Sequence, residues 1–447
     1  MLTMDDSSTD MVFPAVGMRA VTCRFDAGAV TSDAGLLWVA QADRKLGLTQ
    51  KLSEQILDRR EAGKVAHPVL ELLRERIYAI CAGYEDANDL NALCTDPALL
   101  LCCGRRCHQT LGSQPTISRF ENSVDKKDLV CLAWTLAEVV IAQLPKKTPS
   151  VILDVDATDD PCHGQQEGER FNAYYDAHCY LPLYLHVTGP DDRQRLLGVL
   201  LREGNASSKV GLFALLRRAI LLLRRRFPRV KICLRADSGF GDGEVLGFCR
   251  RQGLSYALAV RSNPRLRAHT LALEQQVLRQ AQRTGEDVRC FTAFLYQADS
   301  WSHLERVVAK VETVQASLNV RFVATSRRGQ DPNRVYRFYC ARGDRENRIK
   351  ETKNDLGAGR TSCHRFLANQ LRVLLHAAAH VLVCALQEAL AGTRLANAQA
   401  GTLRLALIKL GAEVECSCRR VWFHLPASCP VQDVWRCLGR ELAPGAT

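Results

Sequence analysis

Between residues 151 and 260 the chain carries five short apolar runs: Val151–Asp156, Tyr180–Val187, Leu196–Leu201, Val230–Asp237 and Ser255–Val260. Turn residues Gly189-Pro-Asp-Asp192 separate the second run from the third. Amphipathic stretches near 210–226 and 244–251 separate the later ones. Apolar runs this short suit strands, and the stretches between them have helical period. Three strands, a helix, a strand, a helix and a strand make a mixed α/β layer. Two of the runs end in a carboxylate, Asp156 and Asp237. Side chains converge at the carboxyl ends of strands in such a layer, so both aspartates become candidates for chemistry.

The flanks have a different character. Gly35–Leu46, Val69–Gly83 and Lys127–Gln143 show apolar positions at helical spacing, so residues 29–145 read as mostly helical. Ser113 can cap a helix with Pro115 in its first turn, followed by Thr116, Ser118 and Arg119. That pattern fits equally a DNA-reading helix, whose early residues face base edges, and an ordinary capped helix. Leu144–Pro149 reads as a linker. Beyond Asn263 a polar helix, Leu271–Arg283, gives way to alternating stretches at Arg306–Glu312 and Val320–Thr325, an insertion domain or a sheet extension. Helical period returns at 344–353, 363–390 and 402–410. The expected organisation is a helical region at 1–145, a core at 150–262, a β-rich insertion at 263–334, the rest of the core at 335–392, and a helical region at 393–447.

With 447 residues, 47% hydrophobic and 24% charged, the chain is long enough for several domains of ordinary globular composition. That excludes a disordered tail, a fibre and a small disulfide-stapled scaffold. Runs of about 18 residues without a charge are missing, which argues against a membrane-spanning helix. Met1–Asp10 is acidic and polar, unlike a secretory leader. The 19 cysteines fall mostly in apolar periodic stretches and read as small buried hydrophobes. Cys102, Cys103, Cys107 and the Cys416-Ser-Cys418 pair lack the ligand spacing of structural zinc. The net charge of +12 is unevenly spread: residues 201–235 hold ten bases and one acid, residues 151–180 seven acids and one base. Such a juxtaposition suits a metal-dependent enzyme acting on a phosphate backbone, and equally a solvated helix face beside an acidic loop.

Downstream, Glu346 lies amid Arg342, Arg345, Arg348 and Lys350. Carboxylates from two strand ends and a helix can hold two Mg²⁺ ions roughly 4 Å apart for in-line displacement at phosphorus. On a continuous helix, Arg342, Glu346 and Lys353 would share one face. Neighbouring candidates carry less weight. Asp154 faces the same side as Asp156, as a supporting group, and Asp159 and Asp160 read as turn caps. Gly239-Phe-Gly-Asp-Gly243 is an incomplete dinucleotide fingerprint and reads as a tight turn. His163 and His178 are possible proton carriers. Trp301 is a core residue or a platform for an unpaired base.

Tyr339-(2)-Arg342-(3)-Glu346-(6)-Lys353 resembles the signature of DDE transposases of bacterial insertion sequences. Asp156-Ala-Thr158 and Arg235-Ala-Asp237-Ser-Gly-Phe240 resemble the two aspartate motifs of that group. Leu153–Gly164, Ser32–Leu37, Gly83–Asn88, Ser113–Thr116 and Thr361–Phe366 resemble the insertion-sequence family numbered thirteen-eighty, and the likeness runs from about residue 30 to 425. The resemblance implies an α/β, RNase H-like mixed-sheet catalytic core with a β-rich insertion and an N-terminal helical DNA-binding region. It implies Asp156, Asp237 and Glu346 as a catalytic, metal-binding triad for two Mg²⁺ ions, with Mn²⁺ as a substitute. Tyr339, Arg342 and Lys353 become DNA contacts, and Arg119 joins them from the N-terminal region. The expected partners are the terminal inverted repeats and target DNA, bound by a homodimer in the bacterial cytoplasm at the nucleoid, with no membrane. Three rivals remain: an RNase H-like nuclease without strand transfer, a transposase-derived DNA-binding regulator, and a nucleotide-dependent oxidoreductase.

Overall fold

The computed structural model describes residues 3–4, 11–315, 317–343 and 351–442. Its centre is an eight-stranded sheet formed by β1 (Ser150–Ala157), β2 (Leu183–Thr188), β3 (Gln194–Leu200), β4 (Lys231–Ala236), β5 (Ser255–Val260), β6 (Arg289–Tyr296), β7 (Glu305–Val314) and β8 (Ser317–Thr325). The strand order is β3-β2-β1-β4-β5-β8-β7-β6. Strands β1, β4 and β5 run parallel and every other neighbouring pair is antiparallel. This mixed sheet is consistent with the RNase H-like superfamily. The parallel strands are buried along most of their length, which is why they read as continuous apolar runs rather than as alternation.

Two local features depart from the sequence reading. The run at 180–187 is broken at Leu181-Pro182, because Pro182 has no N–H to give to a ladder. Its first residue, Tyr180, ends a strand Ala177–Tyr180 that pairs instead with Arg170–Asn172 and Asp160–Pro161 in a small separate sheet. Residues 289–325 extend the central sheet, with β8 lying antiparallel to β5. Strand β6, missed in the sequence, forms the far edge.

Helix Phe366–Ala389 passes through the middle of the molecule against helices Leu36–Leu46, Val69–Ala82 and Lys126–Ala142 and strand β3. It is long and apolar enough to cross a membrane, yet 89% of its most apolar window lies inside the protein. A helix apolar on all sides is here a core helix. Its polar side chains have assigned partners. Glu121, fully buried, is 3.0 Å from Arg76 and 2.7 Å from Arg372. This trio ties helix Gln114–Ser123 to helices Val69–Ala82 and Phe366–Ala389. The Gln114–Ser123 helix therefore buries Ile117, Phe120 and Glu121 and presents Arg119 outward.

The segment read as helical at 393–447 contains a hairpin, Ala412–Cys416 with Val421–His424, whose first strand pairs with Val30–Thr31. The alternation of Glu413, Val414, Glu415 and Cys416 has a strand's period of two. Nearby contacts join the two ends of the described chain. Ala34 and Gly35 donate backbone hydrogen bonds to Leu410 and Ile408. Gln41 donates to the carbonyl of Leu442, and Trp38 meets Trp435 edge to face. Cys107 and Cys416 form a disulfide, which corrects the reading of these cysteines as packing. Cys81, Cys102, Cys103, Cys249 and Cys384 are buried, as expected.

Replacing Glu121 with Ala strands two buried guanidinium groups, and the expected cost is about 3–5 kcal/mol of unfolding free energy, read from denaturant midpoints. Glu75 supplies a pH prediction. Burial pushes its carboxyl up to about 8, while Gly112 N–H donates to Oε2 at 3.0 Å. Because the folded value lies above the unfolded one, stability falls as pH rises from the ordinary carboxylate range through about 8. Glu75→Gln keeps an acceptor for Gly112 and should flatten that fall, measured as urea midpoints between pH 5 and 8.

Candidate active site

Strands β1 and β4 are in parallel register with Val155 beside Ala236, so Asp156, still paired with Tyr184 of β2, and Asp237, just past the end of β4, come side by side. Asp156 Oδ1 accepts the N–H of Ala157 and Asp237 Oδ1 that of Gly239, both at 2.9 Å. Arg342 Nη2 lies 2.7 Å from Asp156 Oδ2. One step back along the strands, Arg235 and Asp154 are also register partners, and Arg235 is fully buried. Its Nε and Nη2 donate to the two Asp154 oxygens at 2.7 and 2.8 Å, and its Nη1 donates to the Phe338 carbonyl at 2.7 Å. The same guanidinium lies over the Phe338 ring. Asp154 is thus engaged by a cation beneath the site.

Tyr339 lies in the last turn of helix Pro332–Cys340, and that helix ends before Arg342. Arg342 falls in the following turn, its N–H bonded to the Tyr339 carbonyl at 3.0 Å. The expected single helical face from Arg342 to Lys353 runs through residues 344–350, which lie outside the described residues. Burial raises the Tyr339 hydroxyl, Arg342 opposes the rise and Asp237 adds to it, which places Tyr339 within electrostatic reach of both. Glu346 lies outside the described residues. Beyond it, Lys353 Nζ is 2.8 Å from Asp159 Oδ1. Asp160 accepts a hydrogen bond from Thr361 at 2.7 Å, and its carboxyl is pushed up to about 6 by burial. Asp159, read as a turn cap, therefore reaches Lys353 of the signature segment, and Asp160, read likewise, reaches Thr361 just beyond it. Glu351 anchors that segment: it is buried, with Ala400 N–H donating at 2.6 Å and Gln387 at 3.2 Å.

Tyr175 escaped the sequence reading. Its hydroxyl is pushed up to about 12 by burial and then by Asp159, Tyr174, Asp156 and Asp237. No motif marks it, because it arrives from the tip of the hairpin between Asn172 and Ala177. Arg119 is not among these residues. It is exposed on helix Gln114–Ser123 and lines a cleft of about 410 Å³ with Arg59, Arg60, Lys64 and His67. Arg59 and Arg60 are neutralised there by Asp125, Asp128 and Asp58.

The remaining candidates sort plainly. A Cβ on Gly241 would lie 1.8 Å from the Ala259 carbonyl oxygen, and one on Gly243 2.3 Å from that of Ser300. These two glycines allow close backbone packing. His178 is exposed and 2.6 Å from Glu169. Trp301 is buried, edge-on to Tyr296. Much of the basic run at 201–235 is used internally. Arg202 is buried against the carbonyls of Leu181 and Ser207, Arg218 stacks on Trp134, and Arg224 donates to the Gln252 carbonyl. Among the described residues, no group of three or more His, Cys, Asp or Glu is arranged to hold a metal ion.

What the arrangement offers is two carboxylates at adjoining strand ends, met by cations from a segment more than 100 residues downstream. Comparison with curated proteins finds no match. The family described as Transposase DDE domain group 1 matches residues 13–445. A match over almost the whole length, on a chain whose two motif aspartates share one sheet edge, means that this protein belongs to the DDE transposase family.

Proposed function

We propose that the protein binds the terminal inverted repeats of an insertion sequence and catalyses metal-dependent phosphodiester cleavage followed by strand transfer. Family membership already makes it a transposase-type, DNA-acting enzyme. The observation that carries the finer reading is the register of β1 and β4, which brings Asp156 and Asp237 to one edge with Arg342 beside them.

The donor chemistry fits Mg²⁺. Asp156 and Asp237 offer hard carboxylate oxygens, and Asp156 Oδ2 already accepts a cation at 2.7 Å. Asp156 and Asp237, with Glu346 as the third carboxylate, would hold the ions. Bound there, the metal supplies activation of the attacking oxygen and stabilisation of the leaving one. The protein's own residues do the rest. Arg342 and Lys353 hold positive charge beside the carboxylates, which lowers the cost of bringing a DNA phosphate to an acidic edge. Tyr339 offers a hydroxyl near Asp237. Arg119 faces outward from the N-terminal helices, where it can touch DNA away from the cut. Two element ends must be joined for insertion, so a homodimer on DNA is part of the reading.

The test uses DNA from the ends of the element that encodes this chain. Wild type in Mg²⁺ or Mn²⁺ should cut the ends and join them to a target plasmid, and chelation of the metal should stop both. Asp156→Asn, Asp237→Asn and Glu346→Gln should each abolish cutting and leave end binding largely intact. Cutting by any of them at the wild-type rate removes that residue from the triad, and cutting without joined products makes the protein a nuclease. Arg342→Ala and Arg119→Ala should each weaken end binding and reduce the slope of log affinity against log salt by about one.

A further inference from the structure

We propose that Arg106, Arg419 and Arg420, brought to one surface by the Cys107–Cys416 disulfide, hold the phosphate backbone of the DNA end at a distance from the aspartate edge. The proposal rests on the transposase reading above and extends its DNA contacts to the C-terminal hairpin, which that reading leaves without a task.

The disulfide joins two surface loops whose cysteines are 309 residues apart in the chain. The first loop, residues 104–110, is pinned from within. Arg105 donates to Glu71 and, at 2.5 Å, to the Ala66 carbonyl. Arg106 N–H donates to Gln109 Oε1 at 2.8 Å, and Gln109 N–H returns a bond to the Arg106 carbonyl at 2.9 Å. The second loop is the turn between strands Ala412–Cys416 and Val421–His424. Ser417 closes it: its N–H donates to the Arg420 carbonyl at 2.8 Å, and its hydroxyl accepts the Arg420 N–H at 3.0 Å. Cys416 and Val421 are cross-strand partners, so the turn returns Arg420 to the neighbourhood of the disulfide. The Cα atoms of Cys107 and Cys416 are 6.8 Å apart. Adding one cross-strand step and one residue at each end puts the Cα atoms of Arg106 and Arg420 within about 20 Å, the rise of about six base pairs.

The charge on this surface is not spent inside the protein. Arg106, Arg419 and Arg420 are exposed, and no carboxylate among the described residues pairs with them. Glu71, beneath the first loop, is taken up by Arg105 and by His67 at 2.7 Å. Glu415 lies 3.7 Å from His424, and the alternation of the strand turns it to the face opposite Cys416. Uncompensated arginines at this spacing suit a polyanion, whose phosphates accept the guanidinium fork and release their own counterions. The position selects DNA held by the N-terminal helices. Ala66, which takes the Arg105 bond, lines the same cleft as His67 and Arg119. A duplex touching Arg119 therefore meets its next cations at Arg106 and, across the disulfide, at Arg419 and Arg420. By contrast, Arg59 and Arg60 in that cleft are already paired with carboxylates.

The experiment is equilibrium binding by the full chain in non-reducing buffer without divalent metal, so the readout does not depend on cutting. The probes are a duplex of the element's end and an unrelated duplex of the same length, each titrated over a range of salt. Changing Arg106, Arg419 and Arg420 together to Ala should lower the slope of log affinity against log salt for the end duplex by about two to three, and Lys at the same positions should restore most of it. Uncharged methylphosphonates are then placed in the end duplex one phosphate at a time. At a few positions they should weaken wild type and cost the triple Ala variant nothing further, the non-additivity of a direct contact. An unchanged slope overturns the proposal. So does a methylphosphonate profile that is the same in both proteins, or a loss confined to the unrelated duplex, which assigns the surface to target DNA. Those results leave the catalytic reading standing, whereas ends that wild type binds but never cuts in Mg²⁺ count against the catalytic reading alone.

Discussion

One buried guanidinium fixes much of the rest. Arg235 bridges residues far apart in the chain: it grips both oxygens of Asp154 on the neighbouring strand and the carbonyl of Phe338 on a helix more than 100 residues away. Such a pair gives little net stability, because two charges must leave water to form it. Its value lies in geometry. A shift of one residue between β1 and β4 would turn every side chain to the opposite face and leave both charges buried alone. With Arg235 opposite Asp154, the next positions on the same faces are Asp237 and Asp156, and the helix before Arg342 is held against them.

Charge in this protein is used in a way that totals conceal. The basic run at 201–235 looks like a nucleic-acid surface, yet Arg202 and Arg235 are buried, Arg218 stacks on Trp134 and Arg224 binds the carbonyl of Gln252 at the end of helix Gly243–Arg251. The cations that meet the acidic edge come instead from Arg342 and Lys353. Long-range folding, rather than a local patch, brings opposite charges together there. Arg342 and Lys353 each pair with a different carboxylate of the Asp156–Asp159 turn, so the signature segment is clasped at both ends.

Much of this was legible in the sequence where the information is local. Short apolar runs gave the strands of the parallel core, because burial on both faces leaves no room for alternation. Carboxylates at the ends of two runs marked the edge, and the spaced Tyr339, Arg342, Glu346 and Lys353 marked the segment that joins it. Other features are invisible to periodicity. The break at Pro182 could have been anticipated from proline's missing donor. The disulfide between Cys107 and Cys416 could not, since scattered cysteines carry no record of pairing. Tyr175 is likewise an unremarkable turn residue until the hairpin folds over the strand ends.

The meeting of the two ends of the chain has a consequence for the order in which the protein comes into being. Asp156 and Asp237 leave the ribosome early, but helix Leu36–Leu46 packs against helices Phe366–Ala389 and Gln432–Leu442 as well as Val69–Ala82 and Pro97–Cys103, so its cover is completed late. Strand Val30–Thr31 waits for Ala412–Glu413, and Trp38 for Trp435. The nascent chain therefore carries its motif aspartates well before the segments that complete the cover of its early helices. A product stopped short by premature termination lacks part of the cover for helix Leu36–Leu46. The last contacts of that helix thus come from segments made long after the sheet strands that carry the two aspartates.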